Sequence, residues 1–327
     1  MPPSIDPAIL RALSIDASQA KIASHGGSGF ASTYRVTTDT TSAFIKTSTS
    51  KGAAIMFEGE HASLNAINSA VPSLSPRSFA WGELEAGGHF LATEFLDMSS
   101  QGSSGSGGSG MTLGQKMAKL HTTPVPDEFK GKGFGFPFPT CCGDTMQDNS
   151  WKSSWAEFFA ENRLMHILKC AEKNNGSDAK LRGLIEDVCD KVVPRLLGDG
   201  HLGGKQGVQP VVCHGDLWSG NKRKASFVGR SEVPDEKGAV EDVVFDPSAC
   251  YGHNEYDHGI MNMFGGFSGS FWKEYHAACP KTEPMEEYED RVKLYEAYHH
   301  LNHYSIFGGG YKSGAMSILS GLLKKYG

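Results

Sequence analysis

The sequence predicts an α+β fold with a small β-rich lobe over residues 1–95 and a larger, mostly helical lobe over residues 96–327. Three observations lead to this prediction. Alternating apolar and polar residues, typical of strands, dominate the first part of the chain, whereas apolar residues at helical spacing dominate the rest. A Gly/Ser-rich segment, "SSQGSSGSGGSG" at 99–110, follows the boundary. The cleft between two such lobes is a common place for a ligand.

The N-terminal lobe contains three strand patterns and one helix pattern. The segments "ASTYRVTT" at 31–38 and "AFIKTS" at 43–48 are typical of two strands joined by a turn at "TDTTS", and "HFLATEFL" at 89–96 is typical of a third. Between them, "AAIMFEGEHASLNAIN" at 53–68 predicts a helix.

The C-terminal lobe contains helical patterns. In "TLGQKMAKLH", the apolar residues Leu113, Met117 and Leu120 recur at i, i+4 and i+7. A second helix is predicted over 151–168, with four aromatic residues on one face: Trp151, Trp155, Phe158 and Phe159. A long helix near the end is predicted to line up Tyr288, Val292, Tyr295, Tyr298 and Asn302. The segment 99–110 predicts a flexible loop, and an engineered linker would have the same composition.

Composition disfavours several classes of function. The apolar content of 39% is that of an ordinary globular protein. The net charge of −6 and the lack of a long basic block argue against nucleic-acid binding. We expect no membrane helix and no signal peptide, because no apolar run is long enough and the N-terminus lacks a basic flank. The seven scattered cysteines fit a reduced, cytoplasmic protein better than a disulfide framework.

A glycine-rich turn, "HGGSGFASTYRV" at 25–36, contains Gly27 and Gly29. Because glycine has no Cβ, backbone N–H groups in such a turn can approach phosphate oxygens. The turn lacks the Gly-Lys-Ser/Thr of the Walker pattern. Taken alone, it is better explained as an ordinary hairpin turn.

Lys46 and Glu60 are predicted to form an ion pair. Strand alternation places Lys46 and Phe44 on one side of their strand and Ile45 on the other. Glu60 falls on the apolar stripe of the next helix, where a carboxylate needs a cation. A strand lysine paired with a helix glutamate holds the nucleotide α/β-phosphates in protein kinases. The alternative is that both side chains face water.

The segment "HGDLWSGN" at 214–221 predicts a phosphotransferase loop. In such a loop an Asp accepts the proton of the attacking hydroxyl, and an Asn a few residues later contacts a magnesium ion. Asp216 and Asn221 have that spacing, and Asp246 in "VVFDP" offers a second hard oxygen ligand for Mg²⁺. Together with the Gly-rich turn, Lys46 and Glu60, this ordered set favours kinase-like phosphoryl transfer.

Several other residues have competing interpretations. Trp218, two residues from the predicted base, is expected to stack on a sugar or a planar ligand, with a core position as the alternative. In "SACYGHNEYDHG" at 248–259 a zinc site is conceivable, but we expect Asp257 to hydrogen bond to the backbone of the catalytic loop. A metal site at Cys141–Cys142 is disfavoured for want of a matching pair nearby. The histidines of "HHLNH" at 299–303 are expected to be packing and surface residues.

Four segments resemble the ketosamine-3-kinases, also called fructosamine-3-kinases or protein-ribulosamine 3-kinases: "HGDLWSGN", "FDPSACYGHNEYD", "TCCGDTMQDN" and "LNHYSIFGGGY". The similarity extends from the Gly-rich turn to the last helix. The catalytic-loop tryptophan and the "YGH-x-E-x-D" run are fairly specific to this family. Aminoglycoside and choline kinases share only the looser "H-x-D-x(4)-N" pattern.

The resemblance implies a protein-kinase-like fold and an enzyme that uses ATP and Mg²⁺. Its substrates would be ketosamines, such as ribulosyl-lysine or fructosyl-lysine on glycated proteins. Phosphorylation at O3 would yield an unstable product whose breakdown frees the lysine. The alternatives are a kinase of another small molecule, such as an aminoglycoside or an amino alcohol, and a kinase-like binding module without activity.

The resemblance also implies a role for each matching residue. Asp216 would activate the O3 hydroxyl, and Asn221 with Asp246 would hold Mg²⁺. The 1–95 lobe would bind the nucleotide, with Lys46 and Glu60 at the phosphates. The backbone of residues 94–96, which includes Glu94 and Leu96, would contact adenine.

Three segments depart from the family pattern. Many members carry a Cys in the Gly-rich loop, where this chain has Phe30, so a loop disulfide between subunits is not expected. The Gly/Ser segment at 99–110 and the polar insert "KRKASFVGRSEVPDEKGAVE" at 222–241 are atypical, and both are expected to be surface loops.

Overall fold

The computed structural model describes residues 5–27, 31–99, 110–229 and 239–327. Gly29, Phe30 and most of the Gly/Ser segment lie outside these ranges, as do residues 230–238 of the polar insert. No helix in the described ranges is long and apolar enough to cross a lipid bilayer.

An antiparallel sheet forms the N-terminal lobe. Its strands before the Gly/Ser segment are β1 (Lys21–Gly27), β2 (Ser32–Thr37), β3 (Ser42–Ser48), β4 (Ser78–Glu83) and β5 (His89–Asp97). The three strands predicted from the sequence are confirmed as β2, β3 and β5. Helix α1 (Pro7–Ala12) packs Ile9 into an apolar cluster with Val36, Ile45 and Phe90. Helix α2 (Ala53–Ala70) is the predicted helix between β3 and the later strands.

Two strands from the C-terminal part of the chain extend this sheet. After the short hairpin β6 (Thr140–Cys142) and β7 (Thr145–Gln147) and strand β8 (Val211–Cys213), the chain forms β9 (Lys222–Val228) and β10 (Glu241–Val244). The order of the main path is β1-β2-β3-β5-β9-β10, with β4 paired to β5. The last strand, β11 (Cys250–Gly252), pairs with β8.

The expected surface loop over 222–241 is therefore wrong for Lys222–Val228. This segment pairs with both β5 and β10, and Ala225 packs with Leu96 and Val243 in a small apolar cluster. Because charged residues occupy the start of this strand, the sequence pattern did not predict a strand over the apolar positions that follow.

Helices dominate the C-terminal lobe. They are α3 (Leu113–Leu120), α4 (Trp155–Glu157), which continues through π-helical Phe158–Met165 into α5 (His166–Asn175), α6 (Ala179–Asp187), α7 (Val193–Leu197), α8 (Tyr256–Phe264), α9 (Gly269–Ala278), α10 (Tyr288–Phe307) and α11 (Tyr311–Tyr326). The predicted face of α10 is confirmed, because all five of its named residues are buried.

The predicted aromatic face over 151–168 is wrong at one residue. Trp155, Phe158 and Phe159 lie in one core cluster, but the helix begins only at Trp155. Trp151 precedes it and stacks on Phe129 and Tyr251, at ring-centroid distances of 5.7 and 6.0 Å. Helical spacing in the sequence gave no indication of where the helix starts.

Candidate active site

Two cavities meet at Lys46, Glu60 and Asp246. A cavity of about 490 Å³ is lined by these three residues and by Asp216, Trp218 and Asn221. A second cavity of about 310 Å³ is lined by the same three residues and by Gly27, Glu94 and Leu96. Except for Gly29, which lies outside the described residues, every residue predicted from the sequence to act in catalysis or to bind nucleotide, metal or substrate lines one of the two cavities.

The predicted ion pair is present at the junction of the cavities. Lys46 Nζ lies 2.7 Å from Glu60 Oε1 and 2.6 Å from Asp246 Oδ1. Burial opposes the charge on Lys46, but the two carboxylates outweigh it and raise the pKa of the amine. Lys46 is therefore a cation at neutral pH. It connects β3, α2 and the segment after β10.

Helix α2 is held against the β6–β7 hairpin next to Glu60. A Cβ on Gly59 would lie 2.4 Å from the carbonyl oxygen of Pro139, so no side chain fits there. Four residues on, the Ser63 hydroxyl donates to the carbonyl of Gly59 and accepts from the N–H of Ala249. These contacts fix the distance between Glu60 and the C-terminal lobe.

The loop after β8 carries Asp216 and is anchored by Asp257. The N–H groups of His214 and Gly215 donate to the Asp257 carboxylate, at 2.7 and 2.8 Å. Gly215 has φ +81°, and a Cβ there would lie 2.0 Å from the Ser248 carbonyl oxygen, which explains the glycine. The expected hydrogen bonds from the loop backbone to Asp257 are thus present.

The other polar residues near Asp257 have structural partners. Glu255 pairs with the buried Arg291, with 2.7 Å between Oε2 and Nε. His253 contacts the hydroxyls of Tyr295 and Thr282. Across the described ranges, no cluster of three or more His, Cys, Asp or Glu side chains is arranged to hold a metal ion.

The carboxylate of Asp216 faces the larger cavity with two neighbours. The Asn221 amide donates to the Asp216 backbone carbonyl at 2.9 Å and to Oδ2 at 3.3 Å. The thiol of Cys142 donates to Oδ1 at 3.7 Å. Burial and the charge of Asp246 raise the pKa of Asp216 to about 8, although the two hydrogen bonds oppose the shift. Such a value suits a group that exchanges a proton near neutral pH.

Asp246 and Asn221 both line the larger cavity. Asp246 has φ +56°, an uncommon conformation for a residue other than glycine, and its side chain is 50% exposed. The Asn221 amide uses its nitrogen to bond Asp216, so its oxygen is directed elsewhere. A carboxylate and an amide oxygen are the hard ligands that Mg²⁺ prefers, so this pair fits a divalent cation.

Trp218 forms one wall of the larger cavity. Its indole ring lies over Gly220, where a Cβ would come within 2.1 Å of the ring, and 5.6 Å from the Phe264 ring. The side chain is 38% exposed, so the core alternative is wrong. Its free aromatic face is available to a ligand in the cavity.

The smaller cavity extends along β5. The Glu94 carboxylate accepts hydrogen bonds from the backbone N–H and Nε of Arg77, at 2.8 and 3.0 Å, and the side chain is buried. Leu96 lies opposite Phe227 of β9 and also lines the cavity. Gly27 closes it from the side of β1.

Sequence reasoning missed several residues at the larger cavity, among them Cys142, Asn302 and His303. Cys142 was considered only as a metal ligand, and His303 as a packing or surface residue. One signal was present for Asn302, since a polar amide on an otherwise apolar helix face needs an explanation. No sequence pattern marked the other two.

Comparison with known proteins identifies the family. Residues 5–325 match the family model of the fructosamine kinases. The chloroplastic protein-ribulosamine 3-kinase of Arabidopsis thaliana is 38% identical over 312 residues, covering 93% of this chain and 83% of that protein. The chain belongs to the fructosamine kinase family. The ketosamine-3-kinase of Mus musculus is 33% identical over 327 residues, covering 94% of this chain and 96% of that one.

Solved structures agree with this fructosamine kinase in fold. A Thermobifida fusca protein of the fructosamine-3-kinase type has a TM-score of 0.74 at 23% identity, with 98% of this chain and 99% of that one covered. The aminoglycoside phosphotransferase APH(4)-Ia, solved with AMP-PNP and hygromycin B, has a TM-score of 0.57 at 11% identity over 98% of each chain. At such identities the likeness concerns the fold alone. It confirms the predicted α+β, protein-kinase-like fold.

Proposed function

We propose that this fructosamine kinase phosphorylates O3 of ketosamines, ribulosyl-lysine or fructosyl-lysine on glycated proteins, with ATP as the donor. Family membership supports the kinase activity and the class of substrate. The observation that carries the proposal is the pair of cavities that meet at Lys46, with Asp216 on the wall of the larger one.

The two cavities suggest which ligand occupies each. The smaller cavity, with Gly27, Glu94 and Leu96, is the proposed nucleotide site, and Lys46 would hold the phosphates at its inner end. The larger cavity, with Asp216 and Trp218, is the proposed sugar site. In this proposal, residues 1–95 form the nucleotide-binding lobe, and residues 96–327 form the lobe that carries the catalytic loop, the metal site and the substrate site.

Asn221 and Asp246 are the residues that would hold Mg²⁺. The ion, when bound, would neutralise the negative charge that develops on the phosphates. The Lys46 ammonium contacts Asp246 directly, so this positive charge lies beside the proposed metal ligand in the cleft.

Asp216 is the proposed general base. Its carboxylate would accept the proton of the O3 hydroxyl as that oxygen attacks the terminal phosphate. The hydrogen bonds of Asn221 and Cys142 favour the charged form of the carboxylate and hold its orientation. The exposed face of Trp218 would pack on the apolar face of the sugar.

We also propose that the protein acts in the cytoplasm. All seven cysteines are unpaired, and Cys142, Cys213, Cys250 and Cys279 are buried. Free cysteines in this number are typical of a reducing compartment.

The test is an assay of ADP release with Mg-ATP and four acceptors: a ribulosyl-lysine peptide, a fructosyl-lysine peptide, hygromycin B and ethanolamine. We expect turnover with the ketosamine peptides alone. Turnover only with hygromycin B or ethanolamine would keep the phosphotransfer chemistry and reject the substrate. Asp216→Asn should lower kcat by a factor of roughly 10² to 10⁴ with nucleotide binding intact. Asp144→Asn, at a nearby exposed carboxylate, is the matched control.

A further inference from the structure

Asn302 carries a buried acceptor that no group in the described part of the chain satisfies. The residue lies on α10 and is 1% exposed. Its amide nitrogen donates to the Cys142 carbonyl oxygen at 3.2 Å and lies 3.3 Å from Cys142 Sγ. Its amide oxygen, Oδ1, has no hydrogen-bond partner among the described residues.

The contact with Cys142 settles which end of the amide is free. A backbone carbonyl can only accept a hydrogen bond, so the atom of Asn302 that faces it must be the nitrogen. Rotation of the amide by half a turn would bring two acceptor oxygens together. The oxygen is therefore the end without a partner.

The unsatisfied oxygen belongs to a residue that lines the proposed sugar site. Asn302 shares the cavity of about 490 Å³ with Asp216 and Trp218. The same Cys142 thiol contacts both the Asn302 amide and the Asp216 carboxylate, so these two groups are separated by a single sulfur atom. Buried acceptors are normally hydrogen-bonded in folded proteins, and leaving one unsatisfied is unfavourable.

We infer that Oδ1 of Asn302 accepts a hydrogen bond from a hydroxyl of the ketosamine sugar other than the one on O3. This inference rests on the proposed function and adds a residue that selects the sugar. A neutral amide oxygen matches a neutral hydroxyl donor, whereas the ammonium of the substrate is better matched by a carboxylate. Asp216 would engage O3, so a second hydroxyl of the same sugar is the donor within reach of the neighbouring amide.

The experiment combines one variant with modified substrates. Fructosyl-lysine analogues that each lack one hydroxyl other than that on O3 are compared in the unmodified chain and in Asn302→Leu, which keeps the side-chain volume. We expect one analogue to lower kcat/KM roughly 5- to 150-fold in the unmodified chain, the range for one unsatisfied buried polar group. In Asn302→Leu, kcat/KM for the complete substrate should fall by a similar factor. Removal of the same hydroxyl from the substrate should then lower kcat/KM of this variant little further.

The controls separate this role from a structural one. Thermal unfolding and the KM for ATP are measured for both proteins, because loss of the contact with Cys142 alone would lower activity equally for all substrates. Equal losses for every analogue in both proteins would overturn the inference while the proposed function stands. If the unmodified chain does not phosphorylate fructosyl-lysine or ribulosyl-lysine, the proposed function fails, and the inference fails with it.

Discussion

Lys46 forms ion pairs with Glu60 and Asp246 at once, with Nζ 2.7 Å from one carboxylate and 2.6 Å from the other. Glu60 belongs to α2, and Asp246 follows β10, so a single ammonium group joins elements that are far apart in the sequence. The side chains of Lys46 and Glu60 are 15% and 11% exposed, whereas that of Asp246 is half exposed. The ion pair with Glu60 is therefore the better shielded from water. Because the Glu60 carboxylate is buried, it depends more on the Lys46 cation than Asp246 does.

Lys46→Met should weaken both ATP use and folding. The variant lacks the cation proposed for the phosphates, so kcat/KM for ATP should fall by roughly 10² to 10³. It also leaves Glu60 as a buried carboxylate without a cation, which costs on the order of 3 kcal/mol of unfolding free energy. Steady-state kinetics and urea unfolding measure the two effects.

A double variant separates the two effects of Lys46. Lys46→Met combined with Glu60→Met replaces the pair with apolar side chains, so unfolding free energy should recover while ATP use stays low. If the double variant is as unstable as the single one, the pair is not the source of the lost stability. Recovery of kcat/KM in the double variant would contradict the role of Lys46 at the phosphates.

Gly59→Ala should impair catalysis from outside the cleft. The added Cβ would lie 2.4 Å from the Pro139 carbonyl oxygen and 3.0 Å from Thr140 Cα, so α2 must move away from the β6–β7 hairpin. Glu60 would move with it and lengthen the contact with Lys46. Because small displacements at an active site have large effects, kcat/KM for ATP should fall roughly 10- to 100-fold.

Gly52→Ala is the matched control for Gly59→Ala. Gly52 caps the same helix, has φ −91°, and has no atom within 4 Å of its added Cβ. This control should keep the activity of the unmodified chain. Equal activity in both variants would show that α2 accommodates the methyl group without moving Glu60.

The sequence was most informative where one residue broke a pattern. Glu60 on an apolar stripe predicted a cation, and Lys46 is present there. The polar residues at the start of β9 led to the wrong prediction of a surface loop, because the pairing of β9 with β5 and β10 depends on contacts distant in sequence. Cys142 and Asn302 approach Asp216 only after a hairpin and α10 pack together, so no local pattern could place them.

The Cys142 thiol should lower the pH at which the enzyme becomes active. The pKa of Asp216 is raised to about 8 by burial and by Asp246, and the Cys142 thiol acts against that rise. A general base works as the anion, so kcat/KM should fall as the pH drops below the pKa. Cys142→Ala removes a donor to the anion, so the pKa should rise and the profile should move to higher pH.

Two further variants test the hydrogen bond of Cys142. Cys142→Ser supplies a stronger donor and should move the profile of kcat/KM against pH to lower pH than Cys142→Ala. Cys141→Ala alters the neighbouring thiol, which also lines the cavity, and should leave the profile unchanged. Identical profiles for all three variants would reject the thiol as a determinant of the pKa of Asp216.

His299 should make the fold sensitive to acid. The side chain is fully buried, neither ring nitrogen has a hydrogen-bond partner in the described part of the chain, and burial lowers its pKa to about 3. An unfolded histidine has a pKa of about 6.5, so below that pH the unfolded chain binds a proton that the folded chain does not. The stability from neutral His299 is therefore complete above that pH and is lost as pH falls toward 3. In this range the unfolding free energy should fall by up to about 1.4 kcal/mol per pH unit.

Replacing His299 with a residue that does not titrate should flatten this dependence. His299→Phe should show a smaller loss of unfolding free energy between pH 7 and pH 5, measured by urea unfolding at constant ionic strength. Because it also removes two unsatisfied nitrogen atoms, it should match or exceed the unmodified chain at pH 7. His299→Gln also lacks a titrating group but keeps buried polar atoms, so it should share the flatter slope at lower stability. An unchanged slope in both variants would assign the acid sensitivity to other buried histidines, such as His253, whose pKa burial lowers to about 4.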